Sequence, residues 1–177
     1  MTDPVRRARG RMKTRTGTSS AAWLAYAAAG WALVFASPHL YWGSGGRAGL
    51  AAAVSVQLAT GRSAAFQLLN WGIALFCVAG AGTALAAARG AKRDAVRRVV
   101  RLLLWFGFAL LLLRVLDIVI ELAVGLATLG RAPAESRTQF ERLAPWFAWL
   151  WLPWFSLGTV LFGLAAYRFG LRRREPA

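Results

Sequence analysis

The chain is poor in the residues on which most soluble chemistry depends. Its 177 residues include one histidine, one cysteine and only 7 Asp plus Glu. The lone cysteine, Cys77, excludes an intramolecular disulfide and a cysteine-based zinc cluster, and in the middle of an apolar run it is expected to pack as a small apolar residue. No internal repeat, nucleotide-binding loop, Gly-x-Ser-x-Gly elbow or His-Glu-x-x-His helix is present. The common signatures of soluble enzymes are therefore missing. Charge is scarce as well: 16% of residues are charged, against about a quarter in a soluble domain, while 58% are hydrophobic and mean hydropathy is +0.47. That balance excludes an ordinary soluble globule. It also excludes a disordered chain, which would join high net charge to low hydrophobicity.

What the sequence has in excess is apolar length and positive charge. Four stretches nearly free of charge run over 21–42, 64–88, 102–129 and 144–167, each long enough as a helix to cross a hydrocarbon core of about 30 Å. The third exceeds that need and is expected to tilt or project. None alternates with a period of two, so none reads as a strand. The fold class expected is all-α, an integral membrane four-helix bundle. The 22 cations, which give a net charge of +15, fall around these stretches. Sixteen lie in the N-terminal tail, in the connection 89–101 and at the C-terminus, five lie in the opposite connections, and Arg114 lies inside the third stretch. With four crossings both termini share a side, and the positive-inside rule makes it cytoplasmic. The expected organisation is a disordered basic tail over 1–19, one membrane domain over 20–170 and a second basic tail over 171–177. A cleaved signal peptide fits less well, because the first apolar run exceeds the usual h-region of about 7 to 15 residues. Clusters that flank spans this closely suit anionic lipid head groups better than nucleic acid.

The charges that break the pattern are the most informative. Arg114, Asp117 and Glu121 lie within the third apolar stretch, at spacings that place them within about a 60° arc of one helical face. Each would cost about 2.5 to 3.5 kcal/mol at the centre of an isolated inserted helix. An Arg114–Asp117 pair balances one carboxylate and leaves Glu121 needing a proton, water or another cation. In the expected topology Asp117 and Glu121 lie about 4.5 and 10 Å further toward the outer face than Arg114, where His39, Gln67 and Asn70 also fall. These six residues form a candidate intramembrane polar cluster. Helical spacing gives Ala25, Ala28, Ala32, Ala36 and His39 one face of the first helix, and Gln67, Asn70, Ala74, Cys77 and Ala81 one face of the second. Trp149, Pro153, Ser156, Thr159 and Gly163 form the corresponding face of the fourth. Small residues allow close helix approach and polar ones bond across it. Tyr41, Trp42, Trp146 and Trp149 are expected at the outer interface, and Trp23, Tyr26, Trp105 and Tyr167 at the inner one.

The first span ends Pro38-His39-Leu40-Tyr41-Trp42-Gly43-Ser44-Gly45-Gly46, where a helix runs through an aromatic pair into a glycine-rich stop. Its His-x-x-Trp-x-x-Gly-Gly pattern resembles that of a family of small bacterial four-span membrane proteins, domain of unknown function 3995. The resemblance implies a multi-pass bacterial inner-membrane protein and marks His39, Trp42, Gly45 and Gly46 as motif positions; it brings no activity with it. The apolar portion 50–59 of the next loop reads as a short surface helix or a partial re-entrant segment. The connection around Arg131, Glu135, Arg137, Glu141 and Arg142 reads as a short, solvated amphipathic one. Function is expected to be non-enzymatic: binding, transport-associated or envelope-stabilising, in a homo-oligomer or with a membrane-protein partner. The alternative is an intramembrane enzyme acting on a lipid or isoprenoid, with His39 as general base and Asp117 or Glu121 orienting it. These residues have no diagnostic metal spacing, so no metal and no cofactor is expected.

Overall fold

The computed structural model describes residues 15–54, 63–91 and 93–171. Most of the N-terminal basic tail, part of the loop after the first span, Lys92 and the residues after Leu171 lie outside them. Among the described residues the chain is all helical, with no strand. Four long helices follow one another: α1 (Arg15–Gly43), α2 (Ala64–Arg89), α3 (Asp94–Thr128, extended by a 3-10 turn at Leu129–Arg131) and α4 (Ala134–Leu171). Each extends past the apolar run that announces it. Hydropathy marks the part of a helix that suits hydrocarbon, whereas backbone hydrogen bonding continues into charged flanks such as Asp94–Arg101.

Local chemistry sets several ends. Ser63 caps α2, its hydroxyl accepting from the Phe66 N–H at 3.4 Å, and Gly90 ends it with φ +75°. In α4 an amphipathic segment, Ala134–Trp146, joins the apolar segment Leu152–Leu171 through a π turn, Phe147–Trp151. Pro153 has no N–H to donate to the carbonyl four residues back, and its ring crowds that carbonyl, so a widened turn suits this place. The connection expected between the third and fourth spans is therefore largely helical, continuous with the fourth.

The helices run up and down in a ring, α1 against α2, α2 against α3, α3 against α4 and α4 back against α1. Cross-helix pairs fix the directions: His39 beside Asn70, Trp31 beside Trp154, and Arg97 beside Phe169. The alanine face of α1 (Ala25, Ala28, Ala32, Ala36) and the face of α2 from Asn70 to Ala81 are buried as expected. The α4 face is different. Trp149 is 85% exposed, and the buried stripe consists of Phe155, Gly158, Thr159, Leu161, Phe162, Ala165, Ala166 and Phe169. Large and small residues alternate along this stripe, the expected Thr159 among them, and its rings fill the room that the alanines of α1 and α2 leave.

Rings seat on glycines throughout this core. Trp31 lies against Gly158 and donates from Nε1 to the Trp154 carbonyl at 3.0 Å. Phe162 lies against Gly107 and Phe108 against Gly163. Three helices, 64–89, 94–131 and 134–171, are long and apolar enough to cross a membrane. For α3 only 11% of its most apolar window, at mean hydropathy 2.3, is buried inside the bundle. So large an outward apolar surface suits a hydrocarbon solvent. The small face of α1 (Ala25, Ala28, Ala32, Ala36) is covered by its neighbours.

Candidate ligand-binding cleft

At the end of α1 the glycine-rich motif forms a Schellman stop. The Gly46 N–H bonds to the Tyr41 carbonyl at 2.9 Å and the Gly45 N–H to the Trp42 carbonyl at 3.0 Å, with Gly45 at φ +92°. Gly45 supplies that backbone conformation without a Cβ penalty, and Gly46 lies where any Cβ would enter the Tyr41 ring. Both glycines of the motif thus have a mechanical reason. The stop turns the chain over the end of the bundle as a roof. Trp42 Nε1 donates to the Ala48 carbonyl at 2.9 Å, Trp151 Nε1 to Ala52 at 3.1 Å and the Arg142 guanidinium to Val54 at 3.1 Å. Leu50, in a short 3-10 turn (Leu50–Ala52), is buried beneath this cover. Trp42 is buried too, at 6% exposure, and so works as a roof support rather than in the interfacial belt expected for it. The other seven residues expected in the two belts, from Trp23 to Tyr167, are exposed.

Under the roof lies a cleft of about 330 Å³. Phe35, Trp42, Phe66, Ile73, Trp151 and Phe155 give it apolar walls, Ala53 and Val54 come from the roof, and His39, Asn70 and Arg114 supply its polar groups. His39 Nδ1 lies 2.8 Å from Asn70 Oδ1, while Asn70 Nδ2 donates to the Phe66 carbonyl at 2.8 Å. Since the amide NH₂ is engaged by that carbonyl, the oxygen faces the ring and His39 must donate from Nδ1. The neutral imidazole then carries its lone pair on Nε2, which is buried and has no partner among the described residues. Edge contacts with Phe35 and Trp42, at centroid distances of 4.8 and 5.3 Å, hold the ring.

Arg114 joins this wall from α3. Its guanidinium lies over the Phe147 and Phe155 rings, at 5.7 and 5.8 Å from their centroids. It pairs with Asp117 and also lies 3.8 Å from Glu121. The second carboxylate, which sequence reasoning left without a cation, shares the first one's guanidinium. The six polar residues expected to cluster are therefore distributed. His39, Asn70 and Arg114 share the cleft; Asp117 and Glu121 hold Arg114 without lining it. Glu121 instead borders a second hollow of about 540 Å³ with Glu135 and Gln139, where α3 meets the amphipathic start of α4. Gln67 is exposed on α2, and its amide lies beside the Gly45 turn. Asp117 and Glu121 thus pair with arginine, and the group that orients His39 is an amide.

Trp151, for which the sequence allows stacking on a lipid-like ligand beside the favoured belt and packing roles, lines the cleft; Phe35 was missed, although it sits one helical turn before His39 on the same face. Ala53 and Val54 belong to the apolar portion 50–59, of which residues 50–54 are described and begin with a short 3-10 turn; the sequence did not assign them to a cleft.

A family model described as protein of unknown function (DUF3995) matches residues 32–162. The chain belongs to this family. The matched region begins in α1 before His39 and ends in α4, so the whole DUF3995 portion contains the motif stop, the roof and every wall of the cleft. No curated protein and no solved structure matches the chain. Among the described residues no group of three or more His, Cys, Asp or Glu is placed to hold a metal.

Proposed function

We propose that this DUF3995 protein is a bacterial inner-membrane protein that crosses the bilayer four times, with both termini cytoplasmic, and that it binds a small ligand in the cleft beneath its outer roof. The charge map supports the orientation: sixteen cations belong to one end of the bundle and five to the other. The α1 helix is the fourth span in this reading, because it packs antiparallel to α2 between helices apolar enough to cross. On the cytoplasmic side Arg97, Arg98 and Arg101 gather near Phe169 and Gly170, a basic rim suited to anionic lipid head groups.

The binding role rests on one observation above all, the buried Nε2 of His39, an acceptor without a donor among the described residues and belonging to a side chain in the wall of a cleft. A buried acceptor left unpaired carries a desolvation cost that a ligand donor relieves. Non-enzymatic binding accounts for it with no further group.

Orientation is tested by cysteine accessibility in intact cells carrying Cys77→Ser. Ser44→Cys should react with a membrane-impermeant maleimide added outside, and Arg97→Cys only after permeabilisation; the reverse pattern would reject the topology. Binding is tested with purified protein and total bacterial lipid extract. Extract should raise the thermal midpoint of the native chain and have a smaller effect on His39→Phe. Equal shifts would place the stabilising lipid elsewhere.

A further inference from the structure

We infer, resting on the binding reading above, that the ligand is a neutral lipid alcohol, its hydroxyl donating to His39 Nε2 and its apolar chain lying in a groove between α2 and α3. Three features of the cleft select this class. The first is the tautomer: Asn70 forces His39 to donate from Nδ1, so the buried Nε2 is left as the acceptor and the head group must bring a donor. The second is charge. Asp117 and Glu121 already share the Arg114 guanidinium, which removes its pull on an anion, and no carboxylate among the described lining residues is there to pair with an ammonium head, whose burial among apolar walls is then costly. A neutral O–H remains.

The third is the tail. The cleft shares Phe35 and Ile73 with a further hollow of about 240 Å³ that runs along α2 past Cys77 and Gly80 to Thr83 and is bordered on the α3 side by Leu103 and Phe106. From Asn70 to Thr83 is about 20 Å of helix, room for an extended chain. Phe76, Leu103 and Phe106 on its rim are each more than 45% exposed, so the groove opens sideways where the proposed topology puts hydrocarbon. An occupant that arrives through that opening comes from the bilayer.

The test uses the full chain in nanodiscs and a farnesol analogue with a photoreactive diazirine at the tail. Saturable labelling should fall on peptides containing Ile73–Thr83 of α2 and Leu103–Leu111 of α3. Unlabelled farnesol should compete about tenfold better than farnesyl methyl ether, the scale of one hydrogen bond at a buried acceptor, and better than farnesyl phosphate or farnesylamine. In His39→Phe the difference between alcohol and ether should vanish while labelling persists. Should that variant fail to fold, the comparison of competitors on the native chain decides alone. Equal competition by alcohol and ether, or stronger competition by the phosphate or the amine, overturns the ligand class and leaves the binding reading standing. Absence of saturable labelling in the groove, together with no stabilisation by lipid extract, overturns both.

Discussion

Asn70 is the residue on which the cleft turns. Its two amide functions are divided between the Phe66 carbonyl and His39, so replacement by Leu strands the His39 Nδ1–H in an apolar wall, at a cost of about 1–3 kcal/mol. The thermal midpoint of Asn70→Leu in detergent should fall accordingly, whereas Asn70→Asp keeps an acceptor for the ring and should recover part of the loss; equal midpoints for the two would show that the hydrogen bond is immaterial. Arg114 presents a different case. With both carboxylates on one guanidinium, Asp117→Asn still leaves Glu121 paired and should be mild. Arg114→Leu leaves two carboxylates without a cation and should be severe, each worth about 2.5 to 3.5 kcal/mol if held at mid-membrane. Arg114→Leu combined with Asp117→Leu should remain damaging until Glu121→Gln is added. Sequence spacing alone pairs Arg114 with Asp117 and predicts that the double change suffices; insertion and thermal stability of the double and triple variants distinguish the two.

At the scale of helices, α1 and α2 meet through their small faces, while α4 joins α1 and α3 by seating rings on glycines. Trp31 is anchored by its bond to the Trp154 carbonyl, so it has little freedom to retreat from a Cβ at Gly158, which would lie 2.5 Å from its ring. Gly158→Ala should therefore lower stability by about 1–3 kcal/mol through overpacking, and Gly72→Ala, where nothing lies within 4 Å, should be neutral or slightly stabilising through helix propensity. Thermal denaturation of the pair checks this, and equal effects would remove the steric account. The helix periodicities of α1 and α2 were legible because alanine there is both helix-forming and small. That of α4 was legible only at Thr159, because its buried stripe alternates rings with small residues and the space for the rings is set by the alanines opposite.

For the whole molecule, the outward apolar surface of α3 and the basic rim answer the same question, namely which solvent each part meets. In the proposed topology, neutralising Arg93, Arg97, Arg98 and Arg101 together removes much of the bias that orients the chain. Reporter fusions at the C-terminus should then give a mixed orientation, while an unchanged single orientation would mean that other determinants hold it.

The sequence by itself determined the partition into long apolar helices, the asymmetry of charge and the presence of a few polar residues that the apolar stretches do not explain, because hydropathy and charge add along a chain locally. It also located the stop at Gly45 and Gly46, a motif complete within six residues of Tyr41. Only the tertiary structure decided that Trp42 turns inward, that Gln67 stands aside, that one guanidinium serves both carboxylates and that the segment through Val54 roofs a cleft. The physical reason is the range of the interactions. The His39–Asn70 bond joins positions 31 apart and the Trp31–Trp154 bond positions 123 apart, and such partners are chosen by how rings and alanines fill space between helices, which no periodicity along one helix records.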